Sequence, residues 1–103
     1  MTEKPLLKID QQDFRRWLRE AGRLVVGQAC IAGDCPIANY LKEREKVKVG
    51  VCGSEVYIYR LGTFVTPRWV EAFIEIVDNQ TDAAITVNRA LDILDEEMPS
   101  EDY

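Results

Sequence analysis

The segment from Val47 to Leu61 constrains the fold more than any other, because its side chains change character with a period of two. Val47, Val49 and Val51 alternate with Lys48, Gly50 and Cys52, and the β-prone run Glu55-Val56-Tyr57-Ile58-Tyr59 follows after Gly53-Ser54. Gly53-Ser54 fits a two-residue hairpin turn with glycine at the first central position. That turn sets a register of Cys52 opposite Glu55, Val51 opposite Val56, Gly50 opposite Tyr57, Val49 opposite Ile58 and Lys48 opposite Tyr59. One face of the hairpin is then valine and isoleucine, and the other is Lys48, Gly50, Tyr57 and Tyr59. Cross-strand packing rules favour a helix of the same chain as the cover of this second face.

Helical signals lie on both sides of the hairpin. Phe14, Trp17, Leu18 and Ala21 form one apolar stripe between Arg15, Arg16, Arg19 and Glu20, with Asp10 or Asp13 as cap and Gly22 as stop. Residues 23 to 33 read as a loop, with Leu24-Val25-Val26 as the alternative short strand; Gly27 and Gly33 argue for irregular chain. Asp34-Cys35-Pro36 opens a second helix running to about Arg44. Thr63 to Val65 offers a third strand. Thr66-Pro67 then caps a helix in which Trp69, Val70, Phe73, Ile74, Ile76 and Val77 occupy more than half the circumference. Asn79 to Ala84 reads as a polar connection, and Thr86 caps a last helix carrying Val87, Ala90, Leu91 and Leu94, which ends before Pro99.

The expected fold is therefore α+β: two N-terminal helices, a central antiparallel hairpin of two or three strands, and two C-terminal helices. Val47, Val49, Val51, Val56 and Ile58 are expected to pack on Trp69, Phe73 and Val77. At 103 residues and 47% apolar content, residues 1–103 are read as a single domain, with 1–9 and 98–103 as flexible tails, although 1–9 also suits a short docking strand. No run approaches the roughly 20 apolar residues of a membrane-spanning helix, and residues 1–9 lack a signal-peptide core, so a cytoplasmic protein without membrane association is expected.

The chemistry is bounded mainly by what is missing. The chain contains no histidine, which removes histidine-dependent nucleophile systems, histidine metal sites and the commonest general base. Neither glycine-rich phosphate-binding motif occurs. A zinc site would have to gather Cys30, Cys35, Cys52 and a carboxylate without any paired C-x2-C spacing. The i, i+4 carboxylates Asp92 with Glu96 and Glu71 with Glu75 read as solvated helix faces. No cofactor, metal or catalytic residue is expected. The odd cysteine count suits reduced, buried thiols; Cys35, next to the helix-opening Pro36, is the one place where a lowered pKa and a reactive thiol would arise.

The formal charge of −5 is unevenly placed. Residues 1–60 carry eleven basic against eight acidic residues, and residues 61–103 two against ten. Divided charge and the surplus of apolar helix surface favour a non-enzymatic protein-interaction or regulatory module that self-associates as a dimer, or binds another protein. The expected contact surface is Lys48, Tyr57, Tyr59, Trp69, Val70 and Ile74. The alternative is a nucleic-acid-associated accessory protein using Arg15, Arg16, Arg19 and Arg23 with the Lys48, Tyr57, Tyr59 face, against which the net acidity counts. A small thiol enzyme using Cys35 is a third reading.

Cys35-Pro36-Ile37-Ala38-Asn39-Tyr40-Leu41, the V-x-V hairpin, Pro67 with Trp69, and Thr86 before Ala90-Leu91-Asp92-Ile93-Leu94 follow one another in an order that resembles small bacterial, phage and mobile-element proteins of unknown function. The resemblance covers residues 35 to 94. It implies the fold and a bacterial setting, and carries no activity or site residue with it.

Overall fold

In a computed structural model describing residues 4–22, 24–52, 54–80 and 83–97, the chain is α+β, with four helices and two small antiparallel sheets among the described residues. The order is α1 (Gln11–Glu20), β1 (Val25–Gln28), α2 (Pro36–Glu45), β2 (Val49–Cys52), β3 (Glu55–Ile58), β4 (Gly62–Val65), α3 (Arg68–Asp78), β5 (Ala84–Thr86) and α4 (Val87–Asp92). The expected layout of helix pair, hairpin, helix pair is corrected by β1 and β5, which interrupt both pairs and join each other in a second sheet.

The hairpin has the register expected from its turn: Val49 faces Ile58, Gly50 faces Tyr57, Val51 faces Val56 and Cys52 faces Glu55. The Tyr59 amide continues the ladder by donating to the Lys48 carbonyl at 2.9 Å. β4 adds on the far side of β3, with Val56 opposite Phe64 and Tyr57 opposite Thr63. The Leu7 amide donates to the Val65 carbonyl and the Val65 amide to the Pro5 carbonyl, both at 2.8 Å, so this stretch lies along β4 as a short parallel addition. Leu7 thereby reaches the core, while Leu6 points outward. Residues 1–3 and 98–103, where flexible tails and a helix stop before Pro99 were expected, lie outside the described residues.

Residues 23 to 33 are not a plain loop. β1 pairs with β5 through Gly27 opposite Ile85 and Gln28 opposite Ala84, so the polar connection after Asn79 also ends in a strand. The glycine that argued against a strand is required there for close approach. A Cβ on Gly27 would stand 2.6 Å from the Pro36 nitrogen and 2.7 Å from both the Asp34 oxygen and the Cys35 carbonyl carbon. β1 therefore carries the backbone that opens α2 directly against it, and the Gln28 amide donates to the Asp34 carbonyl at 2.7 Å.

Asp10 caps α1, accepting from the Gln12 amide at 3.0 Å, and Gly22 takes a left-handed φ of 68° just beyond the helix end. Cys35 is the N-cap of α2 and Pro36 its first residue. Thr86 caps α4, its hydroxyl accepting from the Arg89 amide at 3.0 Å. At α3 the N-cap is Pro67 rather than the expected Thr66, without a side-chain cap hydrogen bond, and the helix starts one residue later, at Arg68. After α4 the chain widens into π-helical geometry over Ile93–Glu97, where Arg15 donates to the Leu94 carbonyl at 3.1 Å and pairs with Asp95.

One core joins these parts. Val49, Val51, Val56 and Ile58 belong to the same buried cluster as Trp69, Phe73 and Val77, with Val47 packed at its margin. At its centre the fully buried Phe14 meets Tyr40 at 5.4 Å, Phe73 at 5.3 Å and Trp69 at 5.9 Å between ring centroids.

Candidate functional site

Alternation along β2, β3 and β4 sends Val49, Val51, Val56 and Ile58 inward and leaves three outward rows. Cys52, Glu55 and Val65 form the first row, Gly50, Tyr57 and Thr63 the second, and Lys48 with Tyr59 the third. Among the described residues no helix covers these rows, contrary to the cover expected from cross-strand packing: Tyr57 is 51% exposed and Tyr59 46%. Leu6 lies on the same side beside Val65, and Leu61 is exposed in the turn between β3 and β4. An aromatic and apolar strip thus runs across the sheet, crossed at one end by the Lys4–Glu55 ion pair at 2.6 Å.

The other end of the strip is cationic. Lys46, Val47, Lys48, Tyr59 and Arg60 line an open concavity of about 450 Å³. The Arg60 guanidinium lies 5.6 Å from the centroid of the Tyr59 ring. Lys46 and Arg60 both hold left-handed backbone, with φ of 64° and 74°, where glycine or asparagine is the usual occupant. Two positions that ordinarily favour a residue without a long side chain therefore each present a cation to the same concavity. Arg60 was missed in the sequence; its signal was the register itself, which sets the turn after Tyr59 beside Lys46 and Lys48.

The expected surface is divided by the fold. Lys48, Tyr57 and Tyr59 come together on the outer face, whereas Trp69, Val70 and Ile74 are 3%, 0% and 5% exposed and belong to the core. The surplus apolar surface of α3 is absorbed within the chain, and the exposed apolar area lies on the sheet instead. The basic first helix is also partly neutralised: Arg15 is held by Asp95, and Arg16 pairs with Asp13 at 2.9 Å.

The cysteines are unpaired, and only Cys35 is buried. Its sulfur accepts from the Ala38 amide at 3.4 Å, as an N-cap does. Desolvation nevertheless outweighs that hydrogen bond and pushes the thiol pKa above its ordinary value, opposite to the direction expected from helix position alone. Among the described residues no group of three histidine, cysteine or acidic side chains is arranged to hold a metal ion, and no helix is long and apolar enough to cross a membrane.

Fold and site together describe a small α+β domain with one uncovered aromatic sheet face and a cationic hollow at its end. Comparison with protein-family models, with curated proteins and with solved structures finds no match.

Proposed function

We propose that this protein is a non-enzymatic interaction module that uses the outer face of the β2–β3–β4 sheet to bind protein, a second copy of the chain in the first instance. The observation that carries this reading is the joint exposure of Leu6, Tyr57, Tyr59 and Val65 on one side of one sheet. Tyrosines set in an apolar strip are the side chains that dominate binding energy at protein interfaces, since each buries a large rigid area and keeps a polar tip. The acidic residues 61–103 supply complementary charge for the Lys46, Lys48, Arg60 end of the same face in a paired molecule. A cytoplasmic setting goes with this reading, supported by the odd number of cysteines.

Light scattering and sedimentation over a concentration series test it. The wild-type chain is expected to dimerise, and Tyr57→Ser with Tyr59→Ser to weaken the dimer at least about tenfold, each lost anchor being worth roughly 1–2 kcal/mol. A strict monomer at high concentration, or an unchanged dimer in the double variant, would remove the reading.

The cationic hollow favours a second reading, binding of single-stranded nucleic acid, with Tyr59 stacking a base and Lys46, Lys48 and Arg60 facing phosphate. Under it, a labelled oligonucleotide binds at low salt with an affinity that falls steeply as salt rises, and Lys48→Glu abolishes binding. Absence of binding at low salt excludes it.

A further inference from the structure

Three cations meet at the end of the sheet without a counter-charge. Lys46, Lys48 and Arg60 are exposed around the concavity of about 450 Å³, and among the described residues none of them pairs with a carboxylate. Lys4, Arg15, Arg16 and Arg44 each do. The Arg60 guanidinium lies against the Tyr59 ring instead.

Two of the three are also held against backbone preference. Lys46 ends α2 at φ of 64°, and Arg60 stands in the turn between β3 and β4 at φ of 74°, positions that glycine occupies without steric cost. Conformational cost of this kind collects at binding sites, so it marks the hollow as an anion site rather than as incidental surface charge.

An open concavity with an apolar strip leading out of it suits an extended acidic segment. Glu96-Glu97-Met98-Pro99-Ser100-Glu101-Asp102-Tyr103 is such a segment, with four carboxylates and no base. Asp95, just before it, is paired with Arg15 on α1, which ties the start of the segment to its own molecule. Glu71, Glu75 and Asp78 form another acidic group, but they are set on α3, where the surface they line is itself concave and cannot enter a second hollow.

We infer that Glu101 and Asp102 of one copy enter the Lys46, Lys48, Arg60 hollow of a second copy. This rests on the self-association proposed above and names the contact that carries its charge. From Glu97 to Asp102 an extended backbone spans about 17 Å, and Pro99 biases Met98 toward that extended form. In a two-fold pair the exchange is reciprocal: each copy gives one segment and receives one.

Sedimentation of full-length variants at low salt tests the contact. Lys48→Glu with Arg60→Glu makes hollow and segment both acidic, whereas Glu101→Lys with Asp102→Lys makes both basic. Each double variant alone is expected to lose at least about tenfold in dimer affinity, and an equimolar mixture of the two to recover it, because each hollow then meets a segment of opposite charge. Lys46→Gly with Arg60→Gly removes charge where glycine suits the backbone, so it is expected to weaken the dimer similarly while the thermal midpoint holds or rises. The inference is overturned, with the sheet-face dimer left standing, by a mixture that does not associate or by a segment variant that dimerises as tightly as the wild type. A segment variant that dimerises more tightly, as release of a hollow filled by its own chain requires, overturns it too. So does a glycine pair that loses only oligonucleotide binding. A wild-type chain that stays monomeric removes the dimer reading itself and this contact with it.

Discussion

At Gly27 a methyl group has nowhere to go, because every atom it would strike is backbone at the start of α2. Gly27→Ala must therefore separate β1 from α2 and is expected to cost about 3 kcal/mol, read as a drop of more than roughly 10 °C in the thermal midpoint. Cys35 makes a different demand. Its folded pKa is raised while the unfolded thiol titrates near the ordinary 9.0, so the unfolded chain loses its proton first as pH rises. The stability associated with the protonated thiol is complete below that value and is lost progressively above it, at up to about 1.4 kcal/mol per pH unit until the folded thiol also ionises. Denaturant titrations of the wild type and Cys35→Ser across this range check the sign: the wild type should decline more steeply, and the serine variant should keep the cap. Neither demand was legible in advance. A glycine in a four-residue strand looks the same in sequence whether it marks a loop or a contact, and proline after cysteine signals a helix start without revealing how deeply that start is buried.

Among the elements, the hairpin and the helix caps could be read because their determinants are local. Register follows from a turn and a period of two within a dozen residues, and Thr86 caps α4 through an amide three residues away. Replacing Thr86 with Ala is expected to destabilise the fold by about 1 kcal/mol without changing its helix content beyond the first turn, measurable by chemical denaturation with circular dichroism. β5 escaped notice, and β1 was read only as the alternative to a loop, for the opposite reason. Each is four residues or fewer, and each acquires its strand identity only from a partner far away in the chain. The apolar surplus on α3 was legible, with Trp69, Phe73 and Val77 expected in the core and Trp69, Val70 and Ile74 on a contact surface, and both sets lie in the core. Helix periodicity measures how much surface must be covered, whereas the aromatic cluster around Phe14 and the inward face of the sheet decide what covers it. The outer sheet face was legible in its residues, Lys48, Tyr57 and Tyr59, and illegible in its exposure and extent, since Leu6 and Val65 join it through a contact across most of the chain.

For the whole molecule, the division of charge along the sequence becomes a division in space only in part. The mildly basic first 60 residues lend Lys46, Lys48 and Arg60 to one hollow, yet Arg15 is spent on Asp95, binding the two halves of the chain together. Salt should therefore act on the proposed association more than on folding: raising ionic strength is expected to weaken the proposed dimer severalfold while shifting the thermal midpoint little, because exposed ion pairs such as Lys4–Glu55 contribute at most about 1 kcal/mol. The topology has one more consequence. Both sheets are shared across the turn between β2 and β3, with β1 and β2 lying before it and β3, β4 and β5 after it. A chain cut between Gly53 and Ser54 leaves two fragments, neither of which owns a complete sheet or the whole core. Such fragments are expected to be unfolded apart and to restore the native spectrum when mixed, which would make this small domain a natural starting point for a split reporter that reports when its two halves meet.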